Sequence, residues 1–154
     1  MAEIPAASRR LFAGVDFDGD VHHFPEGTKT AEDAAAAIGC PVSAIVKSLV
    51  FTVDGEAVVA LVPGDLRLDT AKLAAAAGGE KAGRASLEEV REATGFAAGG
   101  TPPFGHATAL RVFADPAIKR NDPVWAAAGT PTTVFPISIA DLDRLAQPVW
   151  ADVT

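Results

Sequence analysis

The segment Ile45–Val53 reads IVKSLVFTV, is followed by Asp54-Gly55, and returns as the unbroken apolar run Ala57–Val62. β-Branched and aromatic residues dominate the first run, and Asp-Gly between two such runs signals a tight two-residue hairpin turn. The returning run AVVALV offers no polar face. The rest of the chain signals helices and shorter strands around this hairpin. Thr30 is a good N-cap for a helix that runs to Gly39, with Glu32 and Asp33 in its first turn. Pro41 starts a further turn. Asp69 caps a helix through Ala77, stopped by Gly78-Gly79, and Ser86 with Glu89 has capping-box spacing for a helix ending near Gly95. Ser138 with Asp141 opens a last helix to about Leu145, and Ser8–Ala13 reads as a short helix end. Further short strands are expected at Val21–Phe24, Ala109–Phe113, Val124–Ala128 and Thr133–Phe135. Hairpins mixed with helices predict an α/β fold with a mixed sheet, not a doubly wound one. No internal repeat or linker divides the chain, which reads as one domain over residues 1–154, with its body from about Ala6 to Trp150 and loose ends.

Composition narrows the function. The 154 residues carry 13 Lys and Arg against 20 Asp and Glu, a formal charge of -7. Coating a nucleic acid requires many phosphate contacts, so bulk electrostatic binding and DNA binding are not expected. A grip on one end of an RNA remains open. No apolar run approaches the ~20 residues that span a bilayer, and the opening MAEIPAASRRLFAGVDFDGD lacks the apolar core of a secretory signal. One cysteine excludes an internal disulfide and a multi-cysteine zinc site. A cytoplasmic protein with no membrane contact and no cofactor is expected.

Lys47 interrupts the apolar strand. Period-two alternation groups Ile45, Lys47, Leu49 and Phe51 on one face and Val46, Ser48, Val50 and Thr52 on the other. A lysine there either snorkels to water or holds an anion or carbonyl at a pocket edge. The stretch Gly99-Gly100-Thr101-Pro102-Pro103-Phe104-Gly105-His106 packs three glycines and two prolines into seven residues. Such a backbone is preformed, lets a ligand approach closely, and can aim amides at an oxygen. It follows a helix and precedes a strand, and it has no Gly-Lys-Ser/Thr, so it is not a P-loop. Composition alone also allows an ordinary connector. His106 can supply a polar contact beside it. His22 and His23 point to opposite faces and would not share a metal. Cys40 has no nearby base and reads as a buried structural residue. Asp16, Asp18 and Asp20 read as a solvated turn, because the bidentate Glu of a calcium loop is missing.

Two segments taken together carry a resemblance. The strand Val46-Lys47-Ser48-Leu49-Val50-Phe51 follows a helix ending Ile38-Gly39-Cys40-Pro41. Some fifty residues on, after Thr94-Gly95-Phe96, comes Gly99-x-x-x-Pro103-x-Gly105. This pairing, within roughly Ala31 to Leu145, resembles the YbaK/ProX family, whose domain is also the editing insertion of bacterial prolyl-tRNA synthetases. The resemblance implies mixed strands curled into a partial barrel flanked by helices. It also implies trans-editing, the hydrolysis of the ester joining a wrong amino acid to the 3′ end of a tRNA. Its partners would be the tRNA acceptor end and a synthetase. Lys47 would contact the ester or the terminal nucleotide. Ser48, Gly99, Gly100, Thr101, Pro103, Gly105 and His106 would border the pocket, with Ala128, Gly129 and Thr130 in its wall. Water, a ribose hydroxyl or the substrate's own side chain would attack, since the family uses no protein nucleophile. The chain departs from some members at Val134, which takes the place of an acidic residue, so the specificity of Cys-tRNA-cleaving members is not expected to carry over. Two alternatives follow from the same residues. A non-catalytic module would use the pocket to bind a nucleotide, an aminoacyl group or a synthetase. A purely structural partner protein would have no hollow joining Lys47 to the Gly99–Gly105 loop.

Overall fold

The computed structural model describes residues 5–28 and 30–154. Its centre is the hairpin of β2 (Ile45–Val53) and β3 (Glu56–Pro63), in register from Val53↔Glu56 to Val46↔Pro63. The turn is Asp54-Gly55, at φ +51° and +85°. Positive φ at both central residues matches the right-handed twist of the flanking strands, and Asp-Gly reaches it with little strain. The sheet order is β1 (His22–His23), β7 (Thr133–Ile137), β6 (Val124–Ala127), β2, β3, β5 (Arg111–Ala114), β8 (Val149–Trp150), with β4 (Ala82–Arg84) also paired to β2. The β2·β6, β3·β5 and β5·β8 pairs are parallel and the others antiparallel. This is the mixed sheet the hairpin and helix signals implied. Two short strands, β4 and β8, had no periodicity long enough to be read from sequence.

β3 alternates between two cores. Val59 and Leu61 join Val46, Val50, Phe96, Phe104 and Phe135 on one side. Val58, Ala60 and Val62 join Phe51, Leu73 and Phe113 on the other. Burial on both faces is why AVVALV has no polar residue. Helices flank the sheet as their caps require: α1 (Ala6–Phe12), α2 (Ala31–Ile38), α3 (Thr70–Ala76), α4 (Leu87–Thr94) and α5 (Ile139–Ala146). Thr30, Asp69 and Ser138 accept from the amides of Asp33, Lys72 and Asp141, and Ser86 and Glu89 close a reciprocal capping box. α2 packs a small alanine face, Ala34 and Ala35, onto Ile45.

The C-terminal end is tied down, contrary to the loose tail expected. Val153 is fully buried. Its carbonyl accepts from Asp69 N at 2.7 Å, and its amide donates to Asp115 Oδ2 at 3.0 Å. Asp115 also accepts from Ala117 N and Thr154 Oγ1, each at 2.8 Å. Burial raises the Asp115 pKa, but these donors outweigh it and hold the carboxyl below the usual carboxylate range. A depressed carboxylate contributes stability above its unfolded pKa, and that contribution is lost as pH falls through the folded value. Asp115→Asn should therefore cost about 1–2 kcal/mol at neutral pH, because charge-assisted bonds are weakened. The difference from the parent should shrink in melts taken below about pH 4, near the unfolded carboxylate pKa. A constant difference down to pH 2 would show that the carboxylate is not what holds the tail.

Candidate active site

β2 is fully paired to β3 on one edge but only at its ends on the other. β6 pairs Ile45 and Val46, and β4 pairs Phe51–Val53. Lys47, Ser48 and Leu49 lie in the gap. The Val50 carbonyl accepts from Ala85 N on the β4 side, so the period of two turns the Ser48 main chain toward the gap as well. The Ser48 hydroxyl is shielded from solvent and has no hydrogen-bond partner among the described residues.

A cleft of about 350 Å³ opens at this gap. Its floor is Ile45–Leu49, and one wall is the start of α2 with Ala31, Glu32 and Ala34. Trp125, Ala126, Ala127 and Val134 line another side, and Ala98, Gly99 and Thr101 complete it. Lys47 and the glycine-rich turn thus meet at one hollow, which is the arrangement a purely structural partner protein would lack. Lys47 Nζ donates to Leu66 O at 2.8 Å. Burial pulls its pKa below the ordinary lysine range; Glu32 and Asp65 pull it back up, and Arg67 pushes it down.

The glycine-proline segment divides into two parts. Ala98–Gly100 is a turn of 3-10 helix whose Gly100 amide donates to Ala97 O at 2.9 Å. That amide is committed and cannot meet a substrate oxygen. The amides of Ala98 and Gly99 precede it and have no acceptor among the described residues. Thr101 is buried and donates its hydroxyl to Ala97 O at 3.1 Å. The second part anchors the loop. Pro103 and Phe104 are buried, and the Phe104 ring lies 5.9 Å from Phe135 and 6.4 Å from Phe17.

Of the residues expected at the pocket, Lys47, Ser48, Gly99 and Thr101 line the cleft, and the others lie outside it. Gly105 faces Leu11: a Cβ there would come within 2.8 Å of that side chain. His106 Nε2 contacts Pro102 O at 2.8 Å and is spent on shaping the loop; burial pushes its pKa down, and the Pro102 bond partly restores it. Gly100 packs on the Thr130 backbone. Ala128 is fully buried and its carbonyl accepts from Ser8 Oγ at 2.5 Å. Gly129 sits between Ala7 and Phe96, and Thr130 Oγ1 is bonded to Thr133 Oγ1 at 2.6 Å. These residues hold up the turn from behind.

Glu32 and Trp125 were missed as cleft residues. Glu32 read as a dipole-compensating first-turn acid, and Trp125 as one aromatic in a short strand. Val134, singled out for its departure from an acidic residue, is on the wall. His22 is bonded to Asp20 at 3.0 Å and stacks edge-on at 5.1 Å from Trp125, while His23 is exposed. No group of three or more His, Cys, Asp or Glu able to hold a metal occurs among the described residues. Cys40 is half-buried rather than buried, following the Gly39 cap of α2 beside the small Ile45 cluster; desolvation still pushes its thiol pKa up. Among the described residues no helix is long and apolar enough to cross a membrane.

Comparison with known proteins gives this geometry a context. The chain is 32% identical over 158 residues to the multifunctional Ser/Thr-tRNA deacylase ProXp-y of Escherichia coli (strain K12), covering 96% of this chain and 93% of that protein. It is 39% identical over 99 residues to the proline--tRNA ligase of Nitratidesulfovibrio vulgaris (strain Hildenborough), covering 64% of this chain but only 17% of the ligase. A crystal structure described as a candidate trans-editing enzyme for prolyl tRNA synthetase superposes with a TM-score of 0.92 at 39% identity, covering 99% of both chains. The profile of the aminoacyl-tRNA editing domain matches residues 25–145. That span takes in the Lys47 strand, the turn at Ala98–Thr101 and every wall of the cleft, and on this match the chain belongs to the aminoacyl-tRNA editing domain family.

Proposed function

We propose that the chain is a trans-editing aminoacyl-tRNA deacylase that hydrolyses the ester between a mischarged amino acid and the 3′ end of a tRNA. The observation that carries this reading is that Lys47 and the Ala98–Thr101 turn, whose Ala98 and Gly99 amides have no acceptor among the described residues, line one cleft. Hydrolysis adds water to the ester carbonyl, breaks the bond to the ribose oxygen, and leaves the released proton on that oxygen. Charge develops on the carbonyl oxygen during addition. Fixed amides and an ammonium stabilise it best when they are in place beforehand. The Lys47 ammonium and the two amides fit that role, and the Ser48 amide facing the gap is a further donor. Among the described residues no hydroxyl of the cleft is hydrogen-bonded to a side-chain base, which suits attack by water, by the neighbouring ribose hydroxyl or by the substrate itself.

The amino acid would be small. Ala31, Ala34, Ile45 and Val134 are apolar walls, and Trp125 limits length. Two hydroxyls sit among them with unused capacity. Thr28 Oγ1 donates to Pro131 O at 2.8 Å and can still accept; Thr30 Oγ1 accepts from Asp33 N at 3.0 Å and can still donate. Such groups suit the hydroxyl of a seryl or threonyl substrate, in line with the name of the E. coli relative. Glu32, the one carboxylate on the wall among the described residues, suits the α-ammonium. The tRNA acceptor end would be the partner, and a synthetase could supply the affinity that a chain of net charge -7 lacks. Incubating the pure protein with a panel of mischarged tRNAs tests this. Release of serine or threonine at least about tenfold faster than valine or leucine is expected; discrimination of that size corresponds to ~1–3 kcal/mol of pocket contacts. No release from any member of the panel would favour the non-catalytic binding module.

A further inference from the structure

On the far side of Lys47 lies a second cleft, of about 550 Å³, which shares Lys47, Ser48, Leu49, Ala98 and Thr101 with the first. Its charge is unlike the rest of the molecule. Arg67 and Arg84 line it together with Lys47, and no Asp or Glu does. Both arginines are exposed and neither has an ion-pair partner among the described residues, whereas Arg111, Arg120 and Arg144 are each paired with a carboxylate. Arg10 and Arg91 also lack a carboxylate partner among the described residues, so what sets Arg67 and Arg84 apart is that they share one cleft with Lys47 and with no acidic side chain. The apolar part of the surface is also unusual. Leu87, at the start of α4, is 77% exposed at the edge of this cleft, the most exposed large hydrophobic residue among those described. Unpaired guanidiniums beside exposed apolar surface match single-stranded nucleic acid, which presents phosphates and base faces together.

We infer that this second cleft binds the terminal phosphodiesters and bases of the RNA, with Arg67 and Arg84 on the phosphates and Leu87 under a base. The first cleft then holds only the aminoacyl group, and the scissile ester lies over the shared floor at Lys47 and Ser48. Charge fixes the direction. The α-ammonium of the aminoacyl group goes toward Glu32, on the wall of the first cleft alone, and the phosphates go toward the arginines, on the wall of the second alone. This assignment rests on the deacylase reading for the ester, but the RNA contact can be measured without any turnover.

The test uses Arg67→Gln/Arg84→Gln, with Arg91→Gln as control; Arg91 is another exposed arginine and lies outside both clefts. Binding of a short oligoribonucleotide carrying the uncharged tRNA 3′ end is followed by fluorescence anisotropy against salt. The double variant should bind at least about tenfold more weakly at low salt. The slope of log affinity on log salt should fall by about 1.4, two phosphates at roughly 0.7 each for a single strand. Arg91→Gln should match the parent. In turnover, the double variant should lose kcat/KM on mischarged tRNA but not on an aminoacyl ester of adenosine, which has no phosphate. Unchanged affinity and salt slope in the double variant would overturn the assignment whether or not the protein proves to be a deacylase. Equal losses on the tRNA and the phosphate-free ester would overturn it too, by placing the arginines' effect at the reaction centre. Failure of the parent to release any amino acid, with the binding difference intact, would remove the deacylase reading and leave the RNA site standing.

Discussion

Lys47→Ala is expected to lower deacylation of a mischarged tRNA by about 10²- to 10³-fold, the usual consequence of losing one preorganised donor to a developing oxyanion. The fold should survive the change. The ammonium is partly buried and its pKa is depressed chiefly by that burial, so its charged form carries a desolvation cost in the folded state. Its one hydrogen bond, to Leu66 O, offsets part of this. Removing the side chain therefore takes away a bond and a cost together, and the melting temperature should stay within about 4 °C of the parent, equivalent to roughly 1 kcal/mol for a chain of this size. The kinetic signature separates two roles. If the ammonium acts on the transition state, kcat falls and KM is little changed; if it only grips the substrate, KM rises and kcat holds. Unchanged turnover in Lys47→Ala would remove the proposed chemistry.

The hairpin and the capped helices could be read from the sequence because each depends on neighbours in the chain. Asp54-Gly55 sets its turn within four residues, and Ser86 with Glu89 satisfies helix-end amides three residues apart. Lys47 was legible for a similar reason, as a charge in an apolar strand needs an exit. The limits of the cleft were not legible. They depend on where β6 and β4 leave off along the outer edge of β2, and neither boundary has a local signal. The glycine-proline loop shows the same limit from the other direction. Its composition marks a rigid backbone, but a glycine against a ligand and a glycine against another loop look identical in sequence. Gly99 reaches the cleft, while Gly100 and Gly105 meet Thr130 and Leu11. Arg67 and Arg84 lie in segments without a motif, and only the fold brings them to one side of Lys47.

Gly100→Val separates these two uses of glycine and is expected to destabilise the protein severely. A Cβ at residue 100 would stand 2.6 Å from the N, Cα and C atoms of Thr130. These are main-chain atoms, which cannot swing aside as the end of a long side chain can. Thr130 is fixed in turn by its bond to Thr133 Oγ1 at 2.6 Å and by the amide of Thr132. Gly129 beside it is closed in by Ala7 O and the Phe96 ring. Valine would have to force the two loops apart, at a cost of about 3 kcal/mol or more, or a fall of about 6–12 °C in melting temperature. The displaced turn would carry Ala98, Gly99 and Thr101 away from Lys47, so residual activity measured well below the melting temperature should fall as well. Gly99→Ala is the comparison: its Cβ would meet only the Pro131 ring, Cγ at 3.5 Å and Cβ at 3.7 Å, ordinary contacts. That variant should keep its stability, and any loss it shows should appear in turnover. If Gly100→Val melts with the parent, the turn is not locked against Thr130, and the support assigned to residues 128–130 fails with it.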